Sequence, residues 1–411
     1  MNEIKEGNRI PSVLLVGYNG ANNTGSEARL LTIIDDVKAV LGKNTRISVP
    51  TLNEKNLRRY LNETKTLKIR PMPSIFYFSL KKMVKNHDII MLVEGSCYMD
   101  TWSPILLSAF LWATSWAKKY NKPSIAYAID SGPLSEVNKK KVRREASKTG
   151  LIITRTQAAA NRLKEIGVKA PIEVTADTAF CFQSKPKDEH ILQNIWPKIG
   201  QKQIVGFALI NPYCWPVKFK LIGKKKNCYR WPYYFSQSEQ RKEKAEKLST
   251  IFANEADRLI EKHNKAIALI CMESVDEFFA MKTFEKIKNK KWVKIFSSKN
   301  YNASQMNSIL CNLNYLISMR YHACVLSMAA GVPMIGIAHD LRIPDLFKDM
   351  ELMDLVFNYD EITPNLLNNT FEQLIKSEKY PNIICRSYHQ HQLRAKRNIE
   401  LLAKYLKNQK L

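Results

Sequence analysis

An α/β fold of two doubly wound domains facing a cleft is predicted, and three features of the sequence predict it. Apolar runs of strand length alternate with helical patterns along most of the chain, as in a parallel sheet covered by helices on both faces. The 411 residues exceed what one ordinary core organises. The alternation breaks around 182–201 and then starts again, which sets domains at 1–185 and 186–385 and leaves 386–411 as a basic C-terminal helix.

In the first half, residues 11–16 (PSVLLV) form a buried strand, followed by a loop rich in glycine and asparagine at 17–25. Leu30, Ile33, Ile34, Val37, Val40 and Leu41 then recur at helical spacing until Gly42 ends the helix. Further strands are expected at 46–49, 89–93, 124–129 and 151–154. In the second half, strands are expected at 204–209, 267–271, 293–296, 315–318 and 334–337, with a charged helix at 241–262. The final helix, 386–407, is basic and amphipathic.

Composition narrows the function classes. Hydrophobic residues make up 45% and charged residues 25%, the balance of a globular chain. The uncharged run 101–117 carries Pro104 and three tryptophans and reads as a buried helix; the runs 300–319 and 321–339 read as core elements. Eight cysteines show neither a CxxC pair nor metal-ligand spacing, so free thiols in a reducing cytoplasm and no metal site are expected. A formal charge of +26 attracts polyanions. The cations are spread along the chain without a nucleic-acid-binding signature, so nucleic acid is not the expected partner and a surface facing membrane phosphates is at least as plausible.

Ligands of open α/β sheets bind beyond the carboxyl ends of the strands, so the loops there are the candidate site. The first is 17–28, GYNGANNTGSEA, whose Gly20, Asn23, Gly25 and Glu27 could approach a substrate; it reads equally well as a turn with Ser26 capping the helix. The second is 94–100, EGSCYMD, with Gly95, Ser96 and Asp100, and the third is 130–134, DSGPL, with Ser131 and Gly132. In the fourth, TRT, Arg155 ends an apolar strand and could hold a carboxylate or phosphate, or form a structural salt bridge with Asp177. The fifth, 315–336, sets Arg320 and His322 at the start of a small-residue helix, a cation beside a titratable group.

These pieces, in their order and spacing, resemble the polysaccharide pyruvyl transferase family: GYNGANNTGSEARL, EGSCYMD, DSGPL, TRT, VTADTAF and SMRYHACVLSMAAGVPMIGIAHD, across most of 13–352. The resemblance implies two Rossmann-like domains of the GT-B type. It implies transfer of a pyruvyl group from phosphoenolpyruvate to a sugar of a cell-surface polysaccharide or its lipid-linked precursor, forming a ketal and releasing phosphate, with no metal or other cofactor. Carried over by motif, Arg155 and Arg320 would hold the carboxylate and phosphate of phosphoenolpyruvate, and His322 would be a general acid. Arg342 stands where many members have lysine. Ser26, Glu94 and Thr156 depart from the family pattern. A nucleotide-sugar glycosyltransferase, with Asp340 or Asp345 as ribose anchor, and a silent anion-binding homologue stay open.

One insertion stands apart. Residues 214–235, CWPVKFKLIGKKKNCYRWPYYF, mix cations and aromatics without an acidic residue. It reads either as a solvated basic loop or as a peripheral contact with the inner face of a membrane or a lipid-linked acceptor.

Overall fold

The computed structural model describes residues 10–409. The first half holds seven strands: β1 (Ser12–Val16), β2 (Arg46–Thr51), β3 (Leu67–Pro71), β4 (Ile89–Leu92), β5 (Ser124–Ile129), β6 (Leu151–Thr154) and β7 (Ile172–Val174). In the second half β8 (Ile204–Ala208) is followed by the short β9 (Val217–Phe219), β10 (Cys228–Arg230) and β11 (Tyr233–Phe235). The chain then returns to β12 (Ala266–Cys271), β13 (Val293–Ser297), β14 (Tyr315–Ser318), β15 (Met334–Ala338) and β16 (Val356–Asn358).

The two large sheets repeat one plan. The first runs β3-β2-β1-β4-β5-β6-β7 and the second β13-β12-β8-β14-β15-β16, with every pair parallel. Strands β1, β4, β5, β6, β8 and β12 are buried along their whole length, as strands covered by helices on both faces must be. Strand order reverses between β1 and β4 in one sheet and between β8 and β14 in the other. A crevice opens at each reversal beyond the strand ends, and the two crevices face each other.

Two segments depart from the expected division. The insertion is a small antiparallel sheet, β10-β11-β9. It springs from the second half but packs on the first: Val217 N donates to Trp102 O (2.8 Å) and Tyr233 Oη to Ser74 O (2.6 Å). The C-terminal helix starts at Lys379 and runs to Lys407. It is no separate unit, because Tyr380, Ile384 and Ala395 join the core of the second half while Leu402 and Leu406 join that of the first.

The helix Thr24–Leu41 opens one residue after Asn23, whose side chain accepts from Ser26 N (3.0 Å). Asn23 and not Ser26 is therefore the cap. This loop is also the seam between the halves. Thr24 N donates to Met272 O (2.8 Å), Ser274 N to Asn22 O (3.2 Å) and Ser298 Oγ to Asn22 O (2.9 Å).

Candidate functional site

A cavity of about 490 Å³ lies between the halves, where the two crevices meet. Its first-half wall comes from the loops after β1 and β4, with Tyr18, Gly20, Asn23, Ser26, Glu94 and Ser96. Its second-half wall comes from the loops after β12, β14 and β15, with Glu273, Arg320, His322 and Arg342. Tyr229 and Arg230 reach in from the small sheet. Of the residues singled out in the sequence, Gly20, Asn23, Ser26, Glu94, Ser96, Arg320, His322 and Arg342 line this space.

The others do not. Arg155 is fully buried: Nε and Nη2 donate to Asp130 Oδ2 (2.9 and 2.8 Å) and Nη1 to Asp177 Oδ2 (2.6 Å). Its guanidinium also lies 4.2 Å from the Tyr321 ring centroid. Its hydrogen bonds all go to buried protein carboxylates and it does not line the cavity, so it organises a carboxylate cluster behind the wall. Asp100 accepts from Ser135 N, Ser135 Oγ and Asn138 Nδ2, tying its loop to the next helix. Ser131 Oγ donates to Ala159 O, and Ser131 and Gly132 line a separate surface groove. Asp340 and Asp345 pair with Arg342 and Arg162.

Glu27 joins the two halves, accepting from Arg59 Nη2 (2.8 Å) and from Ala303 N (3.1 Å) at the start of the helix Ala303–Cys311. Burial, opposed by Arg59, pushes its carboxyl up to about 7. Two glycines are required by close approach. A Cβ on Gly25 would fall 2.0 Å from His322 Nδ1, and one on Gly95 would fall 2.7 Å from Arg155 Nη1. Gly25 thus makes room for His322 at the cavity wall and Gly95 for Arg155 behind it.

His322 is set from two sides. One ring edge packs on Gly25, and Nε2 stands 3.4 Å from Asp177 Oδ2, outside hydrogen-bond alignment. Asp177 is buried but held well below the usual carboxylate range: burial alone would raise it, and Arg29, His322 and Arg155 outweigh that. Burial lowers His322 from the ordinary 6.5, with Asp177 opposing and Arg155 and Arg29 adding to the fall. The resting ring is therefore a neutral imidazole beside an ionised carboxylate.

Arg320 faces Glu273 (3.3 Å from Nη1 to Oε2) and donates through Nη2 to Asp276. Its Nε is buried without a partner. Burial, opposed by Arg320, pushes Asp276 up to about 7. The helix that Arg320 opens, Tyr321–Ser327, is only two turns, so the full charge outweighs the dipole. Arg342 Nε donates to Asp340 Oδ2 (2.7 Å), with its guanidinium 5.0 Å from the Trp102 ring centroid.

Glu273 collects the donors of the seam. Tyr18 Oη donates to its Oε1 (2.9 Å) and Asn23 Nδ2 to its Oε2 (3.0 Å), and Tyr18 also shares a hydrogen bond with Tyr229. Opposite, Glu94 accepts from Ser26 Oγ (3.2 Å). The cavity thus pairs two carboxylates with several cations and one histidine. Among the described residues, no cluster of three His, Cys, Asp or Glu side chains is gathered as a metal ion would need.

The family model of polysaccharide pyruvyl transferases matches residues 24–340, most of the chain. The chain belongs to this family. No curated protein matches it. Among solved structures, Staphylococcus aureus MnaA in a co-structure with UDP is similar in fold, with a TM-score of 0.63, 10% identity and 97% of each chain covered. The UDP-GlcNAc 2-epimerase of Methanocaldococcus jannaschii has a TM-score of 0.57 at 13% identity, covering 96% of this chain and 99% of its own. A glycosyltransferase from Rickettsia africae has a TM-score of 0.54 at 12% identity, covering 98% of this chain and all of its own. At such identities the likeness establishes the fold, two Rossmann-like domains of the GT-B type.

Within this pyruvyl transferase family member, the sequence left Glu273, Tyr18, Tyr229, Arg230 and Arg29 unremarked. Tyr18 and Glu273 each lie two residues beyond a strand, β1 and β12, and Tyr229 and Arg230 fall in the basic insertion, so position alone could have flagged these four.

Proposed function

We propose that the cleft transfers the pyruvyl group of phosphoenolpyruvate to a pair of sugar hydroxyls, forming a ketal and releasing phosphate. The observation that carries this reading is the meeting of Arg320 and His322 in one cavity at the seam of a chain from this family. Arg320 and Arg342 are the cations for the donor's carboxylate and phosphate. Asp276 takes up a proton close to neutral pH, and the charge of Arg320 is then free for the incoming anion. Glu94 and Glu273 accept from the sugar hydroxyls.

The first hydroxyl oxygen bonds to C2 of the donor while C3 gains a proton. Neutral His322 takes the hydroxyl proton and delivers it to the methylene carbon, and ionised Asp177 stabilises the imidazolium between the two events. The second hydroxyl then displaces phosphate, whose departing charge the arginines stabilise, and its proton leaves with the phosphate. His322 thus begins as a base, where the resemblance alone implied an acid.

Acceptor-dependent phosphate release from phosphoenolpyruvate, measured over a panel of free and lipid-linked sugars, tests the reading. His322→Gln should lower it at least about 100-fold. In the parent enzyme kcat/KM should fall on the acid side as His322 becomes protonated, below the ordinary histidine value of 6.5. A second reading, a nucleotide-sugar transferase, is favoured by the co-structure of one fold relative with UDP. Saturable UDP-GlcNAc binding without phosphate release would replace the first reading with the second.

A further inference from the structure

The small sheet has one side in the cleft and a tip outside it. Val217, Tyr229, Arg230 and Tyr233 line the cavity. At the tip, Leu221, Ile222 and Trp231 are 65, 91 and 54% exposed, and Phe219 is half exposed. The bond from Tyr233, which pairs with Phe219, to Ser74 ties this sheet to the segment of the first half that exposes Ile75 and Phe78. The same stretch carries exposed Lys218, Lys220, Lys224, Lys225 and Lys226, and 214–235 has no acidic residue.

The cavity has an apolar arm on this side. Leu52, Met72, Phe76, Leu80, Leu106 and Phe110 form it, and none of them can hydrogen-bond a sugar or a phosphate. Phe78 and Leu80 belong to one helix, Tyr77–Asn86, with Phe78 exposed and Leu80 in the arm. The exposed tip and the apolar arm are therefore neighbouring parts of one region.

We propose that this tip is a docking surface for an anionic lipid bilayer, which sets the apolar arm of the cleft at the membrane. The claim rests on the cleft being the active site and not on the identity of the donor. Exposed aliphatic side chains ringed by lysines match both layers of such a surface. Leu221 and Ile222 enter the acyl boundary, Trp231 sits at headgroup level, and the ammonium groups meet lipid phosphates. A nucleic acid would use the cations but offers Leu221 and Ile222 nothing to enter.

Flotation of the full chain with phosphatidylglycerol–phosphatidylcholine vesicles, and with phosphatidylcholine alone, tests this. The protein should float with the anionic vesicles, much less with the neutral ones, and less as salt rises. Two variants, L221S with I222S and K224E with K225E and K226E, should each weaken flotation at least about tenfold at an unchanged melting temperature. Both alter exposed positions away from the cavity lining, so turnover on a water-soluble acceptor should persist while turnover on a vesicle-borne acceptor falls. A parent protein that stays at the bottom of the gradient, or variants that float as it does, would overturn the proposal. So would binding to duplex DNA that competes fully with vesicles and ignores the L221S and I222S changes. Lost phosphate release in the parent protein would count against the reaction and leave the docking measurement standing.

Discussion

Arg155 and Arg320 follow the carboxyl ends of β6 and β14, one in each half, and they end in opposite surroundings. Arg155 is sealed among Asp130, Asp177 and the Tyr321 ring, with no exposed side-chain surface. Arg320 lines the cavity, keeps a buried Nε without a partner, and faces carboxylates one of which is poised near neutral. The difference is a matter of depth at a strand end. A guanidinium whose hydrogen bonds all close on buried carboxylates organises its neighbours, whereas one at the cavity wall can still meet a ligand. Arg155 reaches His322 only through Asp177, which it shares with Arg29 and which stands beside His322.

Substitutions can break that contrast. Arg155→Ala leaves Asp130 and Asp177 short of a partner in the interior and should cost about 3–5 kcal/mol of stability by urea unfolding. An unchanged midpoint would move Arg155 to the side of Arg320. Arg320→Lys keeps a cation beside Glu273 but loses the planar fork. Phosphate release should drop roughly 100-fold while the unfolding midpoint stays near that of the parent. Equal losses of stability at both arginines would dissolve the comparison.

Smaller effects sharpen it at the seam. The folded pKa of Glu27, about 7, lies above its ordinary 4.5. Its contribution is thus fully present below the ordinary value and lost as pH rises through about 7. Glu27→Gln should reduce the fall in unfolding free energy, measured by urea unfolding between acid and mildly alkaline pH, by on the order of 1–3 kcal/mol. Tyr18→Phe removes the hydroxyl that joins Glu273 and Tyr229 across the cleft. It should raise KM about threefold with little change in kcat, the loss of one neutral hydrogen bond of about 0.7 kcal/mol.

What the sequence disclosed follows burial. Strands buried on both faces, such as β1, β4 and β12, are continuous apolar runs and were legible. β3 (LKIRP) alternates buried and exposed positions, while β7 and β16 have three residues each and no buried one, and all three were missed. They are edge strands with too few apolar residues to stand out. In the site, Arg320 and His322 were legible because a cation and a histidine crowd one strand end. Arg155 had the same local signature. Only the carboxylates brought to it from 25 and 22 residues away reveal its different part. Glu273 was hidden for the converse reason, because its donors come from Tyr18 and Asn23 in the other half.

The helix Lys379–Lys407 bears on how such a molecule is made. All seven strands of the first sheet precede residue 175, yet its core is finished by Leu402 and Leu406. Tyr405, over Gly150, adds to the same closure. On the ribosome the first sheet emerges well before those side chains are synthesised, so the half that is translated first is the last to be sealed. Until then one apolar face of the first sheet lacks the side chains that finish its cover.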